Sequence, residues 1–302
     1  MEAFLFSMII AATPFIFAGI GELVAERSGV LNLGVEGMML MGAVAAFATS
    51  FAVGSTPLAI VAGALAGAAM ALVFCVVSIS LLANQAAAGL ALTIFGIGAS
   101  GLIGQGFVGQ ALEPLAQLDL PLVGDTAVGR IVLGHDIMVY LALTLAGGVA
   151  WFLSQTRAGL ALRAVGDNHD SGHALGLPVI RIRYLATLFG GAMAGLGGAY
   201  LSLAYTPMWG ENMTAGRGWI ALALVVFATW RPWRLVAGAY LFAMVTQLQF
   251  YGQDWGLPVA SQFLAMAPYL ATVIALVIIS SDINLTKANA PACIGRPFRA
   301  DR

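Results

Sequence analysis

Glu22, Glu26 and Glu36 are three carboxylates set, with Arg27 and Asn32, in one stretch that reads ELVAERSGVLNLGVEGMMLMG over residues 22–42. The stretch lies between two strongly apolar runs, 3–20 and 38–53. A charge at bilayer depth costs roughly 2.5–3.5 kcal/mol or more, so such groups face a bundle interior, a cavity or a partner. Gly29, Gly34 and Gly37 interrupt any continuous helix here. A polar, glycine-broken segment between spans is what a path for a polar solute or an ion through a membrane bundle requires. The alternative is an ordinary cytoplasmic loop.

Asn32 and Glu36 stand four residues apart and share a face of any helix. Asn32 is placed to cap a helix beginning at Leu33, with Glu36 near its first turn. Glu22 and Glu26 have the same spacing, at which like charges repel. Either the backbone is not helical there, or Arg27 and a further partner offset the repulsion. Glu22, Asn32 and Glu36 are candidates to line a substrate pathway, as are Asn84 and Gln85 in the short link 81–88. A structural hydrogen-bond network is the competing role. Trp209, Glu211 and Asn212, in the link 205–218, are candidates on the outer side, where a partner could dock; Trp209 equally suits an interfacial anchor.

Other chemistries are poorly served. His169 and His173 stand four apart with Asp167 and Asp170 nearby, a spacing that can bind a metal on a helix. A solvated loop with incidental histidines is the expectation, and no metal site is assigned. Cys75 and Cys293 are too far apart in sequence to suggest a framework. A P-loop needs Gly-Lys-Ser/Thr, yet Lys287 is followed by Ala288 and is the chain's single lysine. Any ATP hydrolysis must therefore come from another polypeptide. We expect no catalytic residues and no cofactor bound by this chain.

The elements that must position these groups are set by composition. The 302 residues are 60% hydrophobic and 9% charged, with mean hydropathy +0.93. That composition predicts an all-α polytopic integral membrane bundle of about 8–10 transmembrane helices, with a discontinuous helix region near residues 21–37. The expected spans are 3–20, 37–54, 57–80, 89–108, 136–154, 184–204, 219–230, 235–250 and 259–279. Pro14 is expected to kink the first, and 219–230 is short for a full crossing. The N-terminus lacks a basic region and reads as a retained span. Residues 1–279 form the membrane domain and 280–302 a cytoplasmic tail. An internal repeat is suggested by GALAGAAMALVF at 63–74 and GGAMAGLGGAYLSL at 190–203.

Orientation follows the basic residues. The link 155–183 holds Arg157, Arg163, Arg181 and Arg183. Placing it inside, with 231–234 and the tail, puts ten of the 13 Lys+Arg in the cytoplasm. The C-terminus is then cytoplasmic and the N-terminus outside. A net charge of -1 gives no reason to expect nucleic acid.

Residues 26–43, ERSGVLNLGVEGMMLMGA, closely resemble the signature near the first span of bacterial ABC-importer permeases for nucleosides and simple sugars, in the branched-chain amino acid/ribose permease superfamily. Residues 163–183, RAVGDNHDSGHALGLPVIRIR, resemble that family's cytoplasmic coupling segment. Arg163, Gly166, Asp167, Asn168, Leu175 and Gly176 match its pattern, while His169 replaces a usual proline and Ser171–Gly172 two usual alanines. The resemblance implies a multi-pass permease of the bacterial cytoplasmic (inner) membrane, surrounded by membrane lipid. It implies a second, usually longer permease subunit, ABC ATPases that use ATP-Mg, and an extracytoplasmic substrate-binding protein. The implied cargo is a small polar solute, most closely a purine-type nucleoside, with a nucleobase or sugar as relatives. Arg163, Gly166, Asp167, Asn168, Leu175 and Gly176, flanked by Arg181, would receive the ATPase. The competing reading is an ion-coupled secondary transporter, with Glu22, Glu26 and Glu36 as ion or proton sites. The basic 155–183 link, which looks like a docking surface, weighs against it.

Overall fold

The computed structural model describes residues 2–118, 127–254 and 289–299, with isolated positions between 266 and 277. Among the described residues eleven α-helices with continuous bounds follow in order: α1 Glu2–Arg27, α2 Val35–Val53, α3 Thr56–Cys75, α4 Gln85–Gly104, α5 Ala127–Leu133, α6 Ile137–Gln155, α7 Arg157–Asp167, α8 His169–Ala174, α9 Val179–Tyr200, α10 Arg217–Phe227 and α11 Pro232–Asp254. Among the described residues there is no β-sheet, and six helical segments are long and apolar enough to cross a membrane. They correspond to the first six expected spans. The expected span 235–250 lies within α11, and 259–279 falls almost wholly outside the described residues.

The centre of the bundle is made by α1, α2, α3 and α9, and small residues let their backbones touch. A Cβ on Gly198 would run into the carbonyl oxygen of Met39, and one on Gly67 into that of Gly191. Gly63 faces Ala199, Gly67 faces Gly195, and Gly191 faces Ala71, so α3 and α9 cross antiparallel. These are the two stretches whose sequences echo each other, and each runs on into one π-helical turn, Val76–Ser80 and Leu201–Tyr205. Apolar side chains such as Leu65, Ile94 and Leu102 point outward from α3 and α4. A surface of that kind suits a hydrocarbon solvent.

Two expectations change. The helix break is narrower than 21–37: α1 continues through Pro14, Glu22 and Glu26 to Arg27, and only 28–34 is non-helical before α2. The second concerns 219–230, whose helix α10 has 11 residues, or about 16 Å of rise, half a bilayer. Irregular backbone precedes it, with positive φ at Asn212, Ala215 and Gly216. Here the bundle holds a half-length helix entered by a non-helical strand that is buried at Trp209 and Thr214 and exposed at Glu211, Asn212 and Ala215. Trp209, at the start of that strand, packs with Ala43, Val44 and Phe47.

Candidate functional site

Glu36 explains how the half-helix is held. Its carboxylate is 2% exposed. One oxygen accepts from Thr214 Oγ1 at 2.5 Å and from the Gly216 N–H at 2.8 Å. The other accepts from the Gly218 N–H at 2.6 Å. The free N–H groups at the start of α10 thus find their acceptor on a different helix, and the negative charge meets the positive end of the α10 dipole. Gly218 is needed for the approach, because a Cβ there would lie 2.6 Å from the Glu36 backbone. The pair Glu36 and α10 was hidden in sequence by a separation of 178 residues or more.

Glu22 and Glu26 do share a helical face, and each has found a partner other than Arg27. Glu22 Oε1 accepts from the Asn32 N–H at 3.2 Å, while its second oxygen is buried with no protein partner. Glu26 accepts from the indole N–H of Trp230 at 2.5 Å. Arg27 instead donates to the carbonyl oxygens of Trp230, at 3.0 and 3.2 Å, and Asn289, at 3.1 Å. Asn32 does not cap a helix at Leu33. The helix starts at Val35, and Asn32 Oδ1 accepts from Gly34 N–H at 2.9 Å, a local Asx-type turn. Gln85 is buried and accepts from Leu31 N–H at 2.8 Å, whereas Asn84 is an exposed N-cap of α4 that accepts from Ala87 N–H. Asn32, Glu22 and Gln85 therefore gather around the 28–34 turn, while Glu36, two residues beyond it, bonds the 214–218 stretch instead, and Asn84 lies exposed beside Gln85.

Glu211 and Asn212 are exposed, but Trp209 is 2% exposed. It is seated against Gly104 and Phe47, so it offers neither a docking face nor an interfacial anchor.

The segment 155–183 folds into α7 and α8. Thr156 Oγ1 caps α7 by accepting from Gly159 N–H, and Asn168 Oδ1 caps α8 by accepting from Ser171 N–H at 2.9 Å. Gly176, at φ +81, ends α8, and Leu175 beside it is 81% exposed. Arg181 and Asp167 are exposed and Arg163 is half-buried. Gly166 is wedged against the Arg27 carbonyl, which joins α7 to the end of α1.

Sequence reasoning missed what holds this segment down. The 289–299 stretch lies across it: Cys293 N–H donates to Gly166 O at 2.9 Å, and Gly295 N–H to Gly29 O at 3.2 Å. Arg183, 1% exposed, donates to Ser28 O, to Arg296 O and to His169 Nδ1 at 3.0 Å. Burial and the Arg183 guanidinium pull the His169 imidazole below its ordinary value, in keeping with a neutral ring that accepts at Nδ1. Phe298 packs edge-on against both His169 and His173. Those histidines are thus bracing for α8. Arg183 carried a signal, a basic residue inside an apolar helix, but its partners lie in three other segments.

A bundle of apolar, glycine-packed helices, six of them able to cross a membrane, with an amphipathic segment braced on one face, defines a polytopic membrane protein. The comparisons agree: residues 4–280 match the family model described as branched-chain amino acid transport system / permease component. The chain belongs to that family of ABC transporter permeases. It is 40% identical over 289 residues to a putative glucose ABC transporter permease protein of Haloferax volcanii, covering 88% of each chain. It is 33% identical to a nucleoside ABC transporter permease protein of Lactococcus lactis, over 96% of this chain and 94% of that one. It is 29% identical to a guanosine ABC transporter permease protein of Bacillus subtilis, with the same coverage. No solved structure matches.

Proposed function

We propose that this chain is one of two permease subunits of an ATP-driven importer, and that its cargo is a purine-type nucleoside, with a sugar as the nearest alternative. Two nearly full-length relatives named for nucleoside and guanosine transport support the nucleoside, and the relative named for glucose keeps the sugar in view. The braced α7–α8 face carries the mechanism. Leu175 and Arg181 stand exposed on it, with Asp167 and Asn168 at the α7–α8 junction. An ABC ATPase that binds ATP-Mg docks on this face, and an external binding protein delivers substrate at the face of Glu211 and Asn212. The face of α7, α8 and the 289–299 stretch then lies in the cytoplasm, in accord with its arginines.

Coupling requires that force applied at α8 reach the pathway. Gly166 and Gly29, both bonded to the 293–295 backbone, tie α7 to the 28–34 turn. That turn contacts Glu22 and Gln85, and α2 beyond it carries Glu36 to the α10 N-terminus. A tilt of α8 would move the half-helix through this series of polar contacts. Glu26 and Glu36 already satisfy protein donors, which weighs against their use as ion sites.

Reconstitution tests the reading. The chain, a partner permease and an ABC ATPase are placed in vesicles with binding protein, and uptake of labelled guanosine, adenosine, ribose and glucose is measured. Nucleoside uptake that needs ATP is expected. Uptake driven by an ion gradient without the ATPase would overturn the proposal.

A further inference from the structure

A cavity of about 750 Å³ opens beside α7, between the C-terminal end of α6 and the link into α11. Arg27, Arg163, Arg231 and Arg234 line it, and Trp151 and Trp233 stand at it with 63% and 61% of their surface exposed. We propose that this cavity holds the phosphate of an anionic phospholipid headgroup, with the two indoles at the level where headgroup meets hydrocarbon.

The charge balance favours an anion. No carboxylate lines the cavity among the described residues. The nearby Glu26 is buried and committed to the Trp230 indole. Arg27 is held rigid by its bonds to the Trp230 and Asn289 carbonyls, which fixes one edge of the site. Arg234 is steadied by Thr229 Oγ1 at 2.9 Å. Arg163 points a buried Nε–H that has no protein partner. Buried donors in folded proteins are almost always satisfied, so this one asks for an acceptor. Guanidinium forks suit phosphate oxygens.

The position favours a lipid over a free ion or an acidic peptide. α6 is one of the helices able to cross a membrane, and Trp151 lies near its end. Trp233 is in the first turn of α11. Exposed tryptophans at the ends of spans belong at the membrane interface, and basic pockets between spans on that side take up lipid headgroups. The α8 tip around Leu175, offered above to a protein partner, is a separate surface.

The purified full chain is stripped of lipid in detergent and titrated with phosphatidylglycerol or phosphatidylcholine, with bound lipid counted by native mass spectrometry. The wild type is expected to bind phosphatidylglycerol at least tenfold tighter than phosphatidylcholine. Arg231→Gln combined with Arg234→Gln is expected to weaken phosphatidylglycerol binding about tenfold while leaving phosphatidylcholine unchanged. Arg231→Lys with Arg234→Lys, which preserves charge, is expected to retain most of it, and serves if the glutamine pair fails to fold. Inorganic phosphate at millimolar concentration is expected not to compete. Equal binding of the two lipids, or full binding by the glutamine pair, would overturn the proposal. So would displacement by phosphate alone. Because the assay uses this chain without ATPase or substrate, its outcome is independent of the transport reading.

Discussion

Glu36→Gln probes the joint between α2 and the half-helix with almost no change of shape. The carboxylate accepts three hydrogen bonds, from Thr214 Oγ1 and the N–H groups of Gly216 and Gly218. A glutamine keeps one acceptor oxygen and turns the other into an NH₂ group, which meets at least one N–H donor head-on. A hydrogen bond to a charged group contributes about 1.5–3 kcal/mol, and a negative charge at a helix N-terminus about 0.3–2 kcal/mol. Loss of one bond and of the charge therefore costs about 2–5 kcal/mol, concentrated where α10 begins. The apolar spans are untouched, so insertion is expected to be normal. Transport is expected to fall severely, and thermal unfolding of the purified chain in detergent to shift downward. Thr214→Val removes one of the three donors and is expected to show a smaller effect, about 1–2 kcal/mol. The two changes are expected to be non-additive, because they break the same contact. Uptake and thermal stability both at wild-type levels in Glu36→Gln, at normal expression, would refute the reasoning.

Further outcomes follow from other parts of the structure. Gly198→Val, which drives a side chain into the Met39 carbonyl, is expected to abolish a monodisperse protein in size-exclusion chromatography, whereas Gly98→Ala, with open space around it, is expected to be neutral or slightly stabilising. A bulky residue at Gly176, whose φ of +81 suits glycine, is expected to insert normally but to uncouple ATP hydrolysis from uptake, as is Asp167→Arg; both activities measured together in vesicles check this. His169 is expected to make the brace acid-sensitive. Its folded value lies below the ordinary 6.5, so the neutral form is the one the fold favours. The stability it contributes is present above about 6.5 and is lost as pH falls through the lower folded value. Hydrogen exchange of residues 293–299 is expected to accelerate on acidification, and His169→Gln to flatten that response.

What the sequence alone determined is what depends on local composition and order. Long apolar runs at 3–20, 57–80 and 184–204 must become spanning helices, because in lipid the backbone has no other partner. The Asn168 cap and the Gly176 stop are equally local, since each acts within its own few residues. The signature at 26–43 and the 163–183 segment carried the family. Tertiary structure alone decided the partners of the buried charges. Glu22 and Glu26 sit on a continuous helix despite their mutual repulsion, since Asn32 and Trp230 supply donors from other segments. Asn32 turned to its own loop. Besides the break at 28–34, a second discontinuity falls at 206–216, and Glu36, far away in sequence, provides the acceptors that let α10 begin there. Arg183 and the 289–299 stretch meet over α8 for the same reason. A buried polar group is satisfied by whatever the packing brings within about 3 Å, and sequence spacing does not record which distant segment that is.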